Sequence, residues 1–267
     1  MTVSQTLRLI DEIAPFDSQE EWDNSGLLVG SPDQEVHGIL FALDITEAVL
    51  DEALEAGADL IVTHHPLMFS ARRRLTDEDY EGRLLQRMIR NQISHIAAHT
   101  NLDRAADGMN DTLAACCGLK NITGENCFRA GDLEEPMPAG EYAERLRSVL
   151  GDTVRRMGPE SAMIHRVGLC SGSGSEFWEN AVAEGCDAFL SGEIKHHHAL
   201  AMADAGLVGF ECGHAATEVP GLMVLADALQ IALDTVQCNL RIFMSAREMY
   251  SFPCSPGQAD FLSEGGS

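Results

Sequence analysis

Basic residues are scarce in this chain of 267 residues. Lysine and arginine together number 18, against 42 aspartate and glutamate residues, and the formal net charge is -24. Proteins that grip nucleic acid through its phosphates need a basic stripe, so we expect no nucleic-acid partner. The same acidity opposes adsorption to an anionic membrane surface. The acidic residues themselves are typical of a well-solvated protein surface.

The sequence also lacks the usual signals for export or membrane insertion. Residues 1–5 have neither the basic region nor the apolar core of a signal peptide. No uninterrupted apolar run approaches the roughly 20 residues that span a bilayer. None of the eight cysteines forms a C-x-x-C pair, which argues against a zinc ribbon and a thioredoxin-type motif. We therefore expect a cytoplasmic protein with reduced cysteines and no membrane partner.

What the sequence does contain is a series of strand and helix patterns. Thr46 is a candidate N-cap, and Gly57 a candidate stop, for one of the helices. A strand, a helix and a strand in succession imply a parallel pair with a right-handed crossover. The predicted elements are a strand over 39–43, a helix over 47–56, a strand over 60–63, a helix over 80–90 and a strand over 93–98.

The second half of the chain repeats the pattern of the first. Shifts of 128 and then 115 positions superimpose similar residues, and although chance can supply a few matches, the ordered series favours an internal duplication. The matched pairs are 36–39 with 164–167, Gly57 with Gly185, Asp59 with Asp187, Thr63 with Ser191, His99 with His214 and Asp103 with Glu218.

The repeat predicts an α/β fold of two similar lobes with mixed sheets and a metal-binding cleft. The first lobe is residues 1–125, with a His-His and a His-x-x-x-Asp motif. The second lobe is residues 126–267, with a His-x-x-x-Glu motif. The most linker-like patch between them is 134–138, which is rich in glutamate and proline.

Polar side chains cluster where the predicted strands end, which is where open α/β sheets bind ligands. His64 and His65 end one strand, and Glu193 follows another. The His99–Asp103 and His214–Glu218 pairs follow two more. Three or four histidines with two or three carboxylates can hold two divalent cations, with a carboxylate bridging them. Zinc, iron and manganese all suit such ligands.

The spacing of these residues leaves alternatives open. Adjacent strand residues point to opposite faces, so either the turn after His65 redirects one imidazole or each histidine binds its own ion. His214 and Glu218 share a face if the segment between them is helical; otherwise a loop must bring them together. Taken singly, His214 could simply start a helix, Glu218 could be solvated and Asp103 could cap a turn.

Five short segments together resemble the Nif-three-like family, many members of which carry the label GTP cyclohydrolase 1 type 2 homolog. The segments are 24–27, 62–66, 99–103, 191–195 and 213–218. The resemblance implies two α/β lobes, a dinuclear metal centre and a toroidal homohexamer built as a trimer of dimers. It also implies a short form of the family, without an inserted domain.

The resemblance assigns the metal ligands to His64, His65, Asp103, His214 and Glu218. It places His99 just outside the ligand set, whereas the repeat would make His99 a ligand equivalent to His214. We expect His99 and Glu193 to lie beside the ligands. His99 and His198, the latter from the run 196–198, are the candidate proton shuttles, and the catalytic residues are otherwise unknown.

The function that these residues favour is metal-dependent hydrolysis of a small nucleotide-like or phosphoester substrate. A cyclohydrolase-type reaction is one possible form, since opening a guanine ring suits a metal-activated water. The alternative is a non-catalytic metal-binding or regulatory hexameric scaffold. It is favoured by the lack of a nucleophile or a strongly basic cluster near the strand ends.

Overall fold

The computed structural model describes residues 1–151 and 154–247, so residues 248–267 of the predicted second lobe lie outside the description. Its helices are α1 (Val3–Ile13), α2 (Glu47–Ala56), α3 (Tyr80–Arg90), α4 (Thr100–Arg104), α5 (Met109–Cys116), α6 (Ala139–Leu150), α7 (Trp178–Ala183), α8 (His196–Asp204) and α9 (His214–Thr235). Its strands are β1 (Gly26–Val29), β2 (Gly38–Ala42), β3 (Leu60–Thr63), β4 (Ser94–Ala97), β5 (Leu119–Thr123), β6 (Arg129–Pro138), β7 (Arg155–Met157), β8 (Met163–Cys170), β9 (Ala188–Ser191), β10 (Val208–Glu211) and β11 (Arg241–Met244).

The described chain forms two compact units. The first contains residues 1–112, 125–127 and the segment from Glu218 onward, and the second contains residues 113–124 and 128–217. This grouping differs from a single boundary after residue 125. The reason is that β11 pairs with β2, and that α9 supplies core residues to the first unit.

The first unit is built on a five-stranded mixed sheet in the order β1-β4-β3-β2-β11. All neighbours run parallel except β1, which is antiparallel to β4. Ile39 and Phe41 of β2 face a core with α1 and α9, and Leu40 and Ala42 face a core with α2 and α3. Helices therefore cover both faces, as central parallel strands require, and the carboxyl ends of β2, β3 and β4 lie at one edge.

The second unit is built on a six-stranded mixed sheet in the order β5-β6-β8-β9-β10-β7. β8, β9 and β10 are parallel, and the other pairs are antiparallel. The patch 134–138, interpreted from the sequence as linker-like, is instead the end of the ten-residue strand β6. Met137 and Pro138 pair there with β8 after an irregularity in the register. Local composition therefore gave the wrong structure for this patch.

The two units share an internal strand order. Each sheet contains three adjacent parallel strands, β2-β3-β4 in the first unit and β8-β9-β10 in the second. The last strand of each set pairs with an antiparallel strand that comes earlier in the chain: β4 with β1, and β10 with β7. Asp59 Oδ1 accepts the backbone N–H of His37 at 2.9 Å, and Asp187 Oδ2 accepts that of His165 at 2.9 Å. The predicted shift of 128 positions relates Asp59 to Asp187 and His37 to His165. The internal duplication stays a prediction, which these correspondences support.

Helix α9 is long and apolar enough to cross a membrane by length and composition alone, with a mean hydropathy of 1.3 over its most apolar window. Its side chains explain the composition differently. Leu222, Leu225, Leu229 and Leu233 lie in the core of the first unit at helical spacing. The helix also continues through Pro220. We conclude that α9 is a core helix.

His95 of β4 is a fully buried polar residue in the first unit. Its Nε2 lies 2.7 Å from Thr63 Oγ1, and the hydroxyl of Thr63 donates to the His65 carbonyl at 2.6 Å. Because that hydroxyl proton is already used, Nε2–H of His95 donates to Thr63. Burial lowers the pKa of His95 to about 3, so the folded protein keeps this ring neutral.

The buried His95 should make stability depend on pH. Its pKa is about 6.5 when unfolded and about 3 when folded, so below pH 6.5 the unfolded chain binds the proton first. The free energy of unfolding should therefore fall, at up to about 1.4 kcal/mol per pH unit, as the pH drops from 6.5 towards 3. The metal-depleted His95→Gln variant should show a flatter profile in urea unfolding at several pH values. An unchanged slope, matching that of the exposed control His165→Gln, would contradict the prediction.

Candidate metal centre

His64 is the most buried member of the cluster at the end of β3, with no side-chain exposure. Its Nδ1 lies 2.9 Å from the carbonyl oxygen of Ala98. A carbonyl only accepts, so Nδ1 carries the proton and Nε2 presents a lone pair. Nε2 makes no hydrogen bond among the described residues and lies 3.7 Å from both Asp103 Oδ1 and Glu218 Oε1. A buried lone pair facing two carboxylates marks a place for a cation.

His65 joins the same cluster although it is the next residue along the chain. The two imidazole centroids are 5.0 Å apart, so the turn after β3 brings both rings to one place. Nδ1 of His65 lies 2.9 Å from Asp44 Oδ1, and Nε2 lies 3.2 Å from Glu218 Oε2. Asp44 lies two residues after the end of β2, and β3 ends at Thr63, so the edge of the sheet positions both partners.

His99 follows β4 and precedes the first residue of α4. Its ring centroid lies 5.0 Å from that of His64 and 5.7 Å from that of His65. Nδ1 lies 2.8 Å from Asp23 Oδ1. One ring nitrogen from each of the three histidines lies within 4.8 Å of the others, a separation that suits a shared ion. The geometry thus brings His99 as close as the two predicted ligands.

One hydrogen-bonding pattern unites the three histidines. Each places Nδ1 against an acceptor: the Ala98 carbonyl for His64, and an aspartate for His65 and His99. Nε2 is consequently the nitrogen left to bind at the centre of the cluster. Histidines that bind metals almost always donate their other ring N–H to a carboxylate or a carbonyl. The donor set of this chain therefore fits a divalent metal.

The two predicted carboxylate ligands both reach the histidines. Asp103 lies in α4, and Glu218, which is only 4% exposed, lies in the first turns of α9. Burial raises the pKa of Asp103, against the opposing effect of His64. Burial lowers the pKa of His64, but Asp103 and Glu218 more than compensate and raise it above its ordinary value. The cluster therefore favours a positive charge at His64.

The same balance is found at His65. Burial lowers its pKa, whereas hydrogen bonds to Asp44 and Glu218 raise it, with a net pKa of about 10. A metal-free cluster would thus hold a proton where a metal ion would otherwise lie. Metal binding requires neutral histidine and releases that proton.

The second unit holds the remaining predicted site residues. His214 begins α9, four residues before Glu218, so the helical alternative of the sequence analysis is the one observed. Its Nδ1 lies 3.0 Å from Glu193 Oε1, and Glu193 Oε2 accepts a hydrogen bond from Ser173 Oγ at 2.9 Å. His214 thus has the Nδ1–carboxylate pattern of His65 and His99. Its role as a ligand, and that of Glu193 beside it, stay predictions.

The histidine run at the start of α8 has its own environment within the second unit. His198 Nδ1 lies 3.0 Å from Ser175 Oγ, and its ring lies 4.3 Å from that of His197. His196 and His197 are exposed. These contacts give His198 a hydrogen-bonded position in the first turn of the helix. Its catalytic role stays a prediction.

Sequence reasoning missed two acidic partners of the cluster, Asp23 and Asp44. Asp44 follows a strand as His64 does, so the argument from strand ends could have found it. Asp23 lies 76 residues before His99 in the chain, and no local pattern connects the two. The carboxylate of Asp23 also accepts two hydrogen bonds from Thr100, one from its backbone N–H and one from its hydroxyl. Burial raises the pKa of Asp23, but these hydrogen bonds lower it more, so it stays ionised.

These features define a class: a mixed α/β protein whose parallel strands end at a buried cluster of histidines and carboxylates suited to divalent metal. The family model of Duf34/NIF3 (NGG1p interacting factor 3) matches residues 1–249. The chain therefore belongs to this family, and the resemblance inferred from its motifs is confirmed. The predicted α/β fold with mixed sheets is confirmed as well.

Curated relatives match nearly the whole chain. A Clostridium acetobutylicum protein called GTP cyclohydrolase 1 type 2 homolog is 31% identical over 256 residues, covering 92% of this chain and 96% of that protein. A Streptomyces coelicolor protein of the same name is 33% identical over 258 residues, covering 91% and 90% respectively.

Solved structures are similar over the same extent. A hypothetical protein of Staphylococcus aureus, 28% identical, has a TM-score of 0.85 and covers 94% of this chain and 99% of its own. A Bacillus cereus protein related to NIF3 has a TM-score of 0.88 at 21% identity, with coverages of 96% and 99%. This second likeness shows the fold alone.

Proposed function

We propose that this protein is a metal-dependent hydrolase that acts on a small nucleotide-like or phosphoester substrate. The observation that carries the proposal is the buried Nε2 of His64, which faces Asp103 and Glu218 without a hydrogen bond of its own. Strongly perturbed buried groups of this kind are typical of functional sites. His95 is equally buried and also has a ring nitrogen without a hydrogen bond among the described residues, but its pKa is shifted by burial alone, whereas Asp103 and Glu218 act on His64.

His64, His65, Asp103, His214 and Glu218 would hold two divalent ions. Bound there, such ions supply Lewis-acid activation of a water nucleophile and of the bond to be cleaved. The chain's own residues orient the reactants: Asp44 fixes the ring of His65, and Glu193 that of His214.

His99 has the geometry of a proton shuttle. Asp23 holds its Nδ1–H, so Nε2 is the nitrogen that can take a proton from water or return one to a leaving group. Because Asp23 accepts several hydrogen bonds, the ring is held in one orientation. This fixed orientation is what efficient proton transfer requires. His198 stays a second candidate for this role.

The name carried by the relatives suggests a cyclohydrolase reaction on a guanine nucleotide as one form of this activity. The rival function is a metal-binding or regulatory scaffold without catalysis. The position of Arg104 favours the scaffold function. This cation is next to Asp103 in the chain, and its guanidinium donates hydrogen bonds to Glu20 at 2.7 Å and to Asn126 at 2.6 Å. It is therefore committed within the fold rather than available to a phosphate group.

Turnover by the metal-loaded chain separates the two functions. We expect the protein, purified with its native metal, to hydrolyse at least one member of a panel of nucleotides and phosphoesters. Chelation should abolish the activity, and adding the metal back should restore it. No turnover across the panel, or turnover that survives metal removal, would leave the scaffold as the better account.

The cytoplasmic location, which rests on the lack of export signals in the sequence, remains a proposal. The toroidal homohexamer, a trimer of dimers, is a proposal that rests on the family resemblance. A ring of six chains would place several metal centres in one assembly, which either function can use.

A further inference from the structure

Two large aromatic side chains are exposed beside the metal cluster. The side chain of Trp22 is 63% exposed and that of Phe69 is 53% exposed. Both contact His99: the Trp22 and His99 centroids are 5.9 Å apart at 75°, and the Phe69 and His99 centroids are 5.4 Å apart at 84°. A single exposed aromatic needs no explanation, but two on one candidate catalytic histidine form a patch. We call Trp22 and Phe69 the aromatic platform.

The backbone under the platform is fixed. Asp23 is the neighbour of Trp22; its side chain has no exposed surface and is hydrogen-bonded to His99. Asn24 Nδ2 donates to the carbonyl of Met68 at 2.6 Å, one residue before Phe69. These bonds connect two segments that lie more than 40 residues apart in the chain. The platform is therefore preorganised, and binding to it would not require ordering of loose loops.

We propose that the aromatic platform binds the planar heteroaromatic ring of the substrate, such as a nucleobase. This inference rests on the proposed function and narrows its substrate class from nucleotide-like or phosphoester compounds to those that contain such a ring. Flat rings gain from stacking and edge-to-face contact with tryptophan and phenylalanine whatever their exact substituents. A ring on the platform would lie against His99 and hold the rest of the substrate near the cluster.

The location of the platform favours a small ring over a protein partner as its occupant. The platform contacts His99, one ring nitrogen of which lies within 4.8 Å of a ring nitrogen of His64 and of His65. A protein surface seated there would cover the approach to the cluster along His99. A neutral ring also carries no charge penalty beside the carboxylates of Asp23 and Asp103.

Binding rather than turnover tests the proposal. The chain has two tryptophans, so Trp178→Phe leaves Trp22 as the reporter. Adding guanosine to this metal-loaded protein should quench the fluorescence of Trp22, whereas ribose 5-phosphate, a phosphoester without an aromatic ring, should leave it unchanged.

Calorimetry then measures the contribution of each ring. Trp22→Ala and Phe69→Ala should each weaken guanosine binding roughly 5- to 150-fold, the range that stacking on one aromatic gives. Trp22→Phe and Phe69→Tyr should restore most of the affinity, which a purely structural role at these exposed positions would not predict. Leu200→Ala, which removes an exposed apolar side chain of the second unit, should leave it unchanged. Melting temperature and metal content would verify that each variant is folded and loaded.

Two results would overturn the proposal: no guanosine binding to the metal-loaded chain, or binding unchanged within about twofold in both alanine variants. Its failure can be distinguished from that of the proposed function. Hydrolysis of a phosphoester, together with guanosine binding that is unchanged in both alanine variants, would retain the hydrolase and reject the platform. Guanosine binding that depends on both rings, without turnover of any compound, would retain the platform and reject the hydrolase.

Discussion

The His64→Ala variant should lose metal affinity by at least about 100-fold. Changing a residue that merely supports a ligand costs 10- to 100-fold, and in the proposed centre His64 would supply the ligand atom itself. Its loss would also leave Asp103 and Glu218 facing a cavity without the nitrogen that lies 3.7 Å from each. We expect metal analysis of the purified variant to show less than the wild-type content, and hydrolysis to fall with it.

His37→Ala is the matched control for His64→Ala. His37 is an exposed histidine that also contacts a carboxylate, with its Nδ1 2.6 Å from Asp59 Oδ2. Its loss should leave the metal content unchanged. Full metal content in His64→Ala would remove the basis of the proposed centre. Fewer than two ions per chain in fully loaded wild type would argue against a dinuclear site while leaving a mononuclear one.

The Leu229→Ala variant should lower the free energy of unfolding by about 2–5 kcal/mol. Leu229 has no exposed surface and lies in the core that α9 shares with α1 and β2. Truncating such a side chain removes its transfer free energy and leaves a cavity. Urea unfolding followed by circular dichroism would measure the change, provided that the dependence on urea concentration stays the same in both proteins.

Ile231→Ala tests the same helix at its exposed face. Ile231 is 68% exposed and two residues from Leu229, so its truncation should cost no more than about 0.5 kcal/mol. Equal losses in the free energy of unfolding for Leu229→Ala and Ile231→Ala would contradict the packing of α9 in the core. They would also reopen the membrane-spanning interpretation that its length and composition permit.

The elements predicted most accurately were those with strong local signals. The bounds of α2, β3 and α3 match the prediction at both ends. Thr46 Oγ1 accepts the backbone N–H of Val49, and Gly57 ends α2 with a left-handed φ of 68°. In these segments the cap, the stop and the apolar run are all contained within a few residues. Sequence alone is sufficient under those conditions.

The elements that sequence missed depend on distant parts of the chain. β6 contains Glu134, Glu135 and two prolines, and its pairing with β8 outweighs that composition. β11 adds to the edge of a sheet whose other strands lie some 140 residues or more earlier, and no local pattern predicts that partner. Tertiary pairing decides the structure of such segments.

The metal cluster shows the same division. His64, His65 and Asp103 could be predicted because each follows a strand whose pattern is visible in the sequence. Their supporting partners could not, since Asp23 and the Ala98 carbonyl are defined only by the folded contacts. Membership of the cluster thus follows from local patterns in this chain, whereas the orientation of each ring depends on tertiary contacts.

The return of α9 and β11 to the first unit has a consequence for biosynthesis. The ribosome makes β2, β3 and β4 first, yet their sheet lacks its β11 edge, and their core lacks α9, until residue 244 has emerged. The described residues of the second unit, which lie between 113 and 217, are made before then. Because Glu218 follows the other members of the cluster by more than 100 residues, a nascent chain that has not reached residue 218 lacks part of the cluster. Uptake of metal at the proposed centre would therefore require synthesis at least as far as residue 218.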